Sequence, residues 1–465
     1  MQESVNRALD ALQKRVGDID DYVAGKLGYT RDELLGTDEK PGYFSAEQVD
    51  ALALAIDNIE AGKGFIIGDQ TGVGKGRINA GLIRYAIRHG KTPVFFTVKP
   101  GLYGDMIRDL RDIGEDRPED YVYATNDDMR GEKAIPLSDD PRDKLFGFTK
   151  SKNKKARHDL ISKGQLPIGK KVLFTTYSQM QSGTGKAWKE RRDALMSIAP
   201  NAIFILDESH NAGGSASARP DPEKPAPVSE YMRRLLAASY NGVFFSSATF
   251  AKNPTVMSLY FKTNLSEAVD DMDNLSDIID RGGVPLQQII SNSLVRDGQY
   301  LRRERTYDGI EMRLEQLPTD PLLTKDASGA LREIFELDAY VMQEVRNNYI
   351  DHMQSEGLQV GLDNAVGDAG ASSTTFSSIM HNAVNQVLLA LKADAVVDAA
   401  IEAHKRGEKP IIAIANTNGS IIEEYARDAG LEFDDPIDVP FNEILKRYVE
   451  RLRRITKKGE DGKKT

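Results

Sequence analysis

The glycine-rich segment at residues 68–76 constrains the fold of this chain more than any other part of its sequence. It reads Gly-Asp-Gln-Thr-Gly-Val-Gly-Lys-Gly and lies between an apolar run at residues 64–67 and a helical pattern that includes Ile78 and Leu82. A buried strand, a glycine turn and a helix in this order form a loop whose backbone N–H groups surround a phosphate, aided by the helix dipole. The segment therefore predicts a site for ATP or a related nucleoside triphosphate. The alternative is a glycine-rich turn with an incidental lysine.

The residues of this loop have separate expected tasks. Glycines at positions 72 and 74 let the backbone turn inward, and Lys75 is the expected charge on the β- and γ-phosphates. Two positions depart from the usual pattern: Asp69 stands where a glycine is usual, and Gly76 stands where a serine or threonine hydroxyl ordinarily binds Mg²⁺. The residues of the loop expected to contact nucleotide are Asp69, Gln70, Thr71, Gly72, Val73, Gly74, Lys75, Gly76 and Arg77.

A second apolar run, at residues 202–206, ends in Asp-Glu-Ser-His at residues 207–210. In phosphate-loop ATPases the aspartate at such a strand end binds Mg²⁺, often through water, and the glutamate polarises the attacking water as general base. Because Gly76 has no hydroxyl, magnesium is expected to be held by Asp207 and waters, with Thr71 as a further candidate. Two acids at a strand end are alternatively a helix cap. The predicted catalytic residues are Lys75, Asp207, Glu208 and His210.

Apolar runs of strand type alternate with helical patterns over the first half of the chain. The runs lie at residues 64–68, 92–98, 171–177, 202–206 and 242–246. Strands this apolar, separated by helices, predict an α/β fold with a RecA-like parallel sheet covered by helices on both faces. A further run at 410–415 predicts the first strand of a second sheet. The predicted domains are an N-terminal helical segment at 1–42, a first RecA-like lobe at 43–265, a mainly helical region at 266–395 and an incomplete second RecA-like lobe at 396–465.

Four segments together resemble the superfamily 2 helicase-like ATPases, and most closely the strawberry notch family. The glycine-rich loop continues into Arg77 to give Gly-Lys-Gly-Arg, an ending typical of that family, so Gly76 is expected to be a family trait. The other likenesses are Asp-Leu-Arg-Asp-Ile-Gly at 109–114, Asp-Glu-Ser-His at 207–210 and Ser-Ala-Thr at 247–249, with Gly-Gln-Tyr-Leu-Arg-Arg at 298–303 as a further one. The resemblance covers roughly residues 43–425.

The resemblance implies roles for further residues. Gln48 stands where such helicases read adenine, and Lys99 and Thr176 stand where strand ends touch the phosphodiester backbone. Residues 416–420 correspond to the first motif of the second lobe, with ordinary loop capping as the alternative for each of these positions. The residues expected to link the nucleotide site to a nucleic-acid track are Ser247, Ala248 and Thr249.

One motif of the similar helicases is missing from this sequence. Their second lobe carries arginine fingers in the pattern Gln-x-x-Gly-Arg-x-x-Arg, and no such pattern follows Ser420. Arginine against the γ-phosphate is worth several orders of magnitude in the rate of related NTPases. The chain alone is therefore expected to bind nucleotide but to hydrolyse it poorly. We also expect it to be the N-terminal portion of a larger protein, and the resemblance implies one of the phage or mobile-element type.

Charge and composition limit the partners. The net charge of −10 argues modestly against a surface that is basic throughout, but basic residues cluster locally between 142 and 171. A solvated loop is the commoner explanation of such a cluster; the alternative is sequence-independent contact with phosphates, with Phe146 and Phe148 stacking on bases. The lysines in this cluster that we name as nucleic-acid candidates are Lys152, Lys154 and Lys155.

The leading functional hypothesis is an ATP-dependent, helicase-like motor that translocates on or remodels DNA or protein–DNA complexes, with ATP and Mg²⁺ as cofactors. A nucleotide-binding scaffold that docks other domains of a parent protein, without turnover, is the hypothesis from a different class. RNA stays open as a substrate, because 2′-hydroxyl contacts have no sequence signature. The absence of cysteine and of any long apolar run favours an intracellular protein with no membrane span.

Overall fold

A computed structural model describes residues 2–70, 72–127, 129–181, 187–213, 227–247, 254–267, 272–303, 308–312 and 373–414, with seven single positions between 325 and 340. Three predicted site residues, Thr71, Ala248 and Thr249, lie outside the described residues, as does the motif predicted at 416–420. The chain divides into two compact units, Met1–Asp308 and Gly309–Thr465, and each is described by itself.

The first unit is built around a parallel sheet. Its strands, together with a short antiparallel ribbon formed by the fourth and fifth, are β1 Gly64–Ile67, β2 Thr92–Thr97, β3 Val122–Ala124, β4 Ile135–Pro136, β5 Lys144–Leu145, β6 Val172–Thr176, β7 Ala202–Asp207, β8 Val243–Ser246 and β9 Tyr300–Leu301. The sheet has seven strands in the order β3-β6-β2-β7-β8-β1-β9, and all neighbours run parallel. The predicted α/β fold with a RecA-like parallel sheet is therefore confirmed.

Helices precede and connect these strands. They are α1 Gln2–Val16, α2 Ile19–Leu27, α3 Arg31–Leu35, α4 Ala46–Glu60, α5 Lys75–Arg88, α6 Leu102–Asp112, α7 Pro118–Tyr121, α8 Lys150–Lys163, α9 Ala187–Ile198, α10 Val228–Ala237, α11 Met272–Arg296 and, in the second unit, α12 Ser373–Lys405. Helix α4 begins with a capping box formed by Ser45 and Gln48. Helix α11 is kinked at Gly283, where φ is 57° two residues before Pro285.

The helices cover both faces of the sheet, because alternate side chains of each strand point to opposite faces. Along β1, Phe65 and Ile67 pack in a core with residues of α1, α2, α4, α5 and α6. Ile66 packs on the other face, in a core shared with α8, α9, α10 and α11. Each strand is buried on both faces, which explains why these segments read as continuous apolar runs.

The boundaries of the first unit differ from the predicted ones. The N-terminal helices predicted as a separate segment contribute Leu12 and Val23 to the core beside the sheet. Helix α11 and strand β9 lie beyond the boundary expected at residue 265, yet α11 packs in the second core and β9 pairs with β1 as an edge strand. The physical reason is that β1 would otherwise be an open edge of the sheet, and the short strand β9 covers it.

In the second unit, the structure describes α12 and the segment that follows it. The strand predicted at 410–415 is not formed over residues 411–414, where Ile411 is 92% exposed and Ile412 is 52% exposed. Such a strand is stable only when neighbouring strands cover it, and none pairs with it among the described residues. Within the described part of the chain, no helix has the length and apolar character needed to cross a bilayer.

Candidate nucleotide-binding site

The predicted motifs meet at one edge of the sheet. The phosphate loop follows β1, the Asp-Glu motif ends β7, and Ser247 follows β8, which lies between β1 and β7. Because all three strands are parallel, their carboxyl ends share one edge, where α/β proteins bind their ligands. The register aligns the ends of the strands closely, with Ile67 beside Ser246 and Ser246 beside Asp207.

The glycine-rich loop has the strand–turn–helix context that its sequence predicts. Gly72 and Gly74 have φ values of 94° and 88°, in the left-handed region that side-chain-bearing residues rarely adopt. Gly74 is the N-cap of α5, which begins at Lys75. Backbone N–H groups at the start of α5 are consequently oriented toward the space above the sheet edge, as phosphate binding requires.

The amine of Lys75 lies inside the loop. Its Nζ donates hydrogen bonds to the carbonyl oxygens of Asp69 at 2.7 Å and Gln70 at 3.2 Å. Burial lowers the pKa of Lys75, while the nearby carboxylates of Glu208, Asp69 and Asp207 act in the opposite direction. In a complex with nucleotide, the amine of Lys75 would exchange these carbonyl acceptors for phosphate oxygens. Phosphate oxygens carry negative charge and form stronger hydrogen bonds with an ammonium group.

The side chain of Asp69 pairs with a residue far along the chain, and its predicted contact with nucleotide stays a prediction. Its carboxylate is 0% exposed and accepts hydrogen bonds from the backbone N–H of Arg303 at 2.7 Å and from Nε of Arg303 at 3.0 Å, with a second guanidinium nitrogen also in contact. Only its carbonyl oxygen meets Lys75. Arg303 also donates to the carbonyl oxygen of Glu47. Asp69 thus anchors the loop to the chain just after β9. Arg303, the last residue of the 298–303 likeness, has a role in the site that the sequence does not predict.

Gln48 lies against the phosphate loop. Its Nε2 donates to the carbonyl oxygens of Val73 at 3.5 Å and Gly74 at 3.3 Å, while its Oε1 accepts from the backbone N–H of Ser45 at 3.0 Å. The same side chain therefore completes the cap of α4 and contacts the loop backbone. Its adenine contact stays a prediction, since the amide in this arrangement binds the protein itself.

Asp207 is the last residue of β7, and hydrogen bonds from its neighbours fix its position. Its Oδ2 accepts a hydrogen bond from the hydroxyl of Thr97 at 3.1 Å, and its carbonyl oxygen accepts one from the phenol of Tyr177 at 2.7 Å. Burial raises the pKa of Asp207 to about 6, with the Thr97 hydrogen bond and Lys75 acting against it. A carboxylate fixed in this way is a good ligand for a hard cation because it needs no reorientation.

His210 connects the acidic motif to the end of β8. Its Nδ1 lies 2.8 Å from the hydroxyl oxygen of Ser247 and 3.4 Å from Oε2 of Glu208. Glu208 itself has a φ of 48°, a left-handed conformation that is unfavourable for a residue with a side chain and that occurs most often at functional sites. This geometry brings together two motifs that lie 37 residues apart in the sequence.

The remaining loop residue, Arg77, points away from the strand ends. It donates to the carbonyl oxygen of Tyr43 at 3.3 Å and pairs with Asp112 of α6 at 3.2 Å. Among the described residues, no three histidine, aspartate or glutamate side chains form a ready metal cage. Magnesium is ordinarily bound by one or two carboxylates together with waters and substrate phosphates.

The nucleic-acid candidates differ in exposure. Lys99 is exposed just after β2, whereas Thr176 is fully buried and its hydroxyl lies 3.0 Å from that of Ser178. The burial of Thr176 does not favour direct contact with a ligand. The α8 lysines Lys152, Lys154 and Lys155 are all exposed, on a helix with no acidic residue in its first turn.

The parallel sheet and the loop after β1 define a P-loop nucleoside triphosphatase fold. The family model for the P-loop containing NTP hydrolase pore-1 matches residues 24–325, and the chain belongs to this family. Its match begins within α2 and extends past β9, so it includes every residue of the site described above.

The chain is similar to much longer proteins. It is 28% identical to protein strawberry notch homolog 1 of Gallus gallus over 59% of this chain and 21% of the relative. It is 25% identical to protein strawberry notch of Drosophila melanogaster over 88% of this chain and 23% of the relative, and 24% identical to protein FORGETTER 1 of Arabidopsis thaliana over 83% and 27%. The chain thus spans about a quarter of these relatives or less. A solved SWI2/SNF2 ATPase core of Sulfolobus solfataricus in complex with dsDNA aligns at 12% identity over 78% of this chain and 64% of that one, with a TM-score of 0.34.

Proposed function

We propose that this chain is the nucleotide-binding part of a helicase-like ATPase that translocates on or remodels DNA or protein–DNA complexes. The observation that carries the proposal is the contact of His210 with both Glu208 and Ser247, 3.4 Å and 2.8 Å away. A general-base candidate and the end of a neighbouring strand are thereby joined through one side chain. A protein that bound nucleotide without hydrolysing it would not need this contact between the general-base candidate and the end of β8.

The proposed chemistry uses residues that already face the loop. Lys75 exchanges its carbonyl partners for the β- and γ-phosphate oxygens of ATP. Asp207 would hold Mg²⁺, and the ion would supply positive charge against the phosphates of the nucleotide. Glu208 accepts the proton of the attacking water, and His210 fixes the position of its carboxylate. An arginine directed at the γ-phosphate would provide the remaining positive charge.

Helix α8 supports the DNA part of the proposal. Lys152 lies exposed in its first turn, where the helix dipole disfavours a cation, and Lys154 and Lys155 lie exposed in the second turn. Placing positive charge at a helix N-terminus is unfavourable unless an anion lies nearby, and the phosphates of a nucleic-acid backbone are such anions. A cleft of about 430 Å³ lies beside this surface and is lined by Lys150, Lys154 and Arg157 together with residues of α9.

ATP turnover by the full-length protein, with and without duplex DNA, tests the proposal. Turnover should rise on addition of DNA, and Glu208→Gln should abolish the rise because an amide cannot accept the proton. A matched control is Glu230→Gln on α10, a glutamate paired with Arg234. DNA-independent turnover would contradict the DNA motor, whereas equal turnover by wild type and Glu208→Gln would support a nucleotide-binding scaffold without turnover of its own.

A further inference from the structure

Gly76 leaves this site without the hydroxyl that a P-loop ordinarily offers to the metal ion. It is the second residue of α5 and directly follows Lys75, the position at which a serine or threonine normally binds Mg²⁺. No backbone group of the loop replaces this hydroxyl as a metal ligand. The backbone at the start of a helix presents N–H groups, which do not bind cations. A replacement ligand must therefore come from a different element.

The space of the missing side chain is occupied by Asp109. A Cβ atom added to Gly76 would overlap Oδ2 of Asp109, and it would lie 3.2 Å from Cγ and 3.6 Å from Oδ1. The carboxylate therefore points with one oxygen into the volume where a serine or threonine side chain would stand. A side chain at position 76 would require the Asp109 carboxylate to rotate away, whereas glycine lets it stay in this position.

The neighbours of Asp109 do not account for its position. Helix α6 packs against α5, and Arg77 could have paired with Asp109, yet it pairs with Asp112 at 3.2 Å. Within the described ranges, the carboxylate of Asp109 takes part in no hydrogen bond or ion pair, although the residue is largely shielded from water. Arg77 and Arg108 favour the charged form of this half-buried carboxylate, but they pair with Asp112 and Asp105 and not with Asp109 itself. A cation bound directly to the carboxylate would relieve the remaining cost of its burial.

We propose that Asp109 supplies the oxygen ligand that Gly76 lacks, so that Mg²⁺ bound with the nucleotide is held by Asp109 and Asp207 together. The proposal rests on nucleotide binding at the P-loop as proposed above. Magnesium prefers carboxylate and water oxygens in octahedral geometry, and one or two carboxylates beside substrate phosphates are its usual protein ligands. The acid at the start of Asp-Leu-Arg-Asp-Ile-Gly, at 109–114, thereby acquires a specific role.

A different role for Asp109 would be purely structural, since an acid near the N-terminus of α5 also stabilises the helix dipole. The two roles predict different behaviour of metal binding. The measurement is the affinity of the protein–ADP complex for Mn²⁺, followed by electron paramagnetic resonance, in Asp109→Ala, Asp109→Asn, Gly76→Ser and the double variant Gly76→Ser/Asp109→Ala. Asp105→Ala, which removes an exposed acid from the same helix, is the control.

We expect Asp109→Ala and Asp109→Asn to weaken Mn²⁺ binding by about 10-fold or more, the range found when metal-site partners are removed. Asp105→Ala should bind Mn²⁺ like wild type. Gly76→Ser alone should lose affinity because its side chain overlaps Asp109. The double variant has room for the serine hydroxyl and should recover Mn²⁺ affinity to within about threefold of wild type, which corresponds to less than about 0.7 kcal/mol.

Two results would overturn the proposal: wild-type Mn²⁺ affinity in both Asp109 variants, or a double variant no better than Asp109→Ala. Asparagine keeps the shape of the side chain, so Asp109→Asn gives an answer even if Asp109→Ala unfolds. The measurement needs neither hydrolysis nor DNA. A protein that failed to respond to DNA would contradict the proposed motor and leave this result intact, whereas unchanged Mn²⁺ binding would contradict the role of Asp109 alone.

Discussion

The carboxylate of Asp69, wholly buried in the phosphate loop, is paired with the guanidinium of Arg303, which lies 234 residues further along the chain. The backbone N–H of Arg303 donates to the same carboxylate, so both the side chain and the main chain after β9 are fastened to the loop. Asp69 also offers its carbonyl oxygen to Lys75. The conformation of the phosphate loop consequently depends on a strand near the end of the first unit.

Removing Arg303 should destabilise the first unit strongly. Arg303→Ala leaves the Asp69 carboxylate buried with backbone donors only, and breaking one side of a buried ion pair costs about 3–5 kcal/mol. Equilibrium unfolding in urea measures the change. Arg302→Ala is the control, because Arg302 is the adjacent exposed residue and its loss should change stability by less than about 1 kcal/mol. Equal effects of the two substitutions would show that the pair does not stabilise the loop.

Asp50 of α4 should make stability depend on pH. Burial raises the pKa of its carboxyl to about 6, with Arg303 acting against the shift and Asp20 and Glu47 reinforcing it. A carboxyl whose pKa is raised on folding contributes stability below its unfolded value near 3.8, and that contribution is lost as pH rises through about 6.

The substitution Asp50→Asn removes this dependence. The variant should therefore be more stable than wild type by about 2 kcal/mol at pH 8, and this advantage should disappear between pH 6 and pH 4. Urea unfolding without nucleotide or metal at four pH values between 4 and 8 tests it. An advantage that stays constant over this range would contradict the assigned pKa.

The sequence allowed the site to be predicted where local pattern and strand order agree. Asp207 and Ser247 end apolar runs, and parallel strands bring their carboxyl ends to one edge, so their proximity to the P-loop followed from the fold class. The strand β9 escaped prediction because two paired residues leave no periodic pattern. Its partner Arg303 escaped for a related reason, since no local signal relates it to Asp69.

The pairing of Gly76 with Asp109 shows another limit. Both residues belong to motifs that the sequence resemblance singled out, but their contact arises from the packing of α5 on α6, which depends on the volumes of side chains between the helices. The strand expected at 410–415 failed in the opposite way. The apolar pattern of this segment predicts a buried strand. Burial, however, depends on neighbouring strands that the segment itself does not specify.

Ser247 should couple DNA binding to the nucleotide state. Its hydroxyl contacts His210 at 2.8 Å, and Ser247→Ala removes that contact without changing the residues expected to hold phosphate. The ratio of DNA affinities measured with a non-hydrolysable ATP analogue and with ADP should fall about tenfold toward unity. Ser246→Ala is the matched control: that hydroxyl is buried and has no hydrogen-bond partner in the described structure, so its loss should leave the ratio unchanged. A wild-type ratio of the two DNA affinities in Ser247→Ala would show that the contact between Ser247 and His210 does not couple DNA binding to the nucleotide state.

The exposed lysines of α8 should contribute most of the salt dependence of DNA binding. Each lysine that neutralises a phosphate releases a counterion, so replacing Lys152, Lys154 and Lys155 by alanine should lower the slope of log affinity against log salt by about 2–3. The loss should be similar for different DNA sequences, because phosphate contacts do not read bases.

A triple variant of equal charge provides the comparison for this experiment. The comparison variant replaces Lys14, Lys40 and Lys91 by alanine and so changes the net charge by the same amount. Lys14 lies on α1, Lys40 lies before α4, and Lys91 precedes β2 at the opposite edge of the sheet from the P-loop. If general electrostatic attraction governed binding, both triple variants would lose affinity equally, since each removes three positive charges from a protein of net charge −10. If DNA instead contacts the lysines of α8, only the α8 variant should lower the slope of log affinity against log salt concentration. Fluorescence anisotropy with a labelled duplex at several salt concentrations separates the two, and equal slopes in the two variants would rule out α8 as the DNA contact.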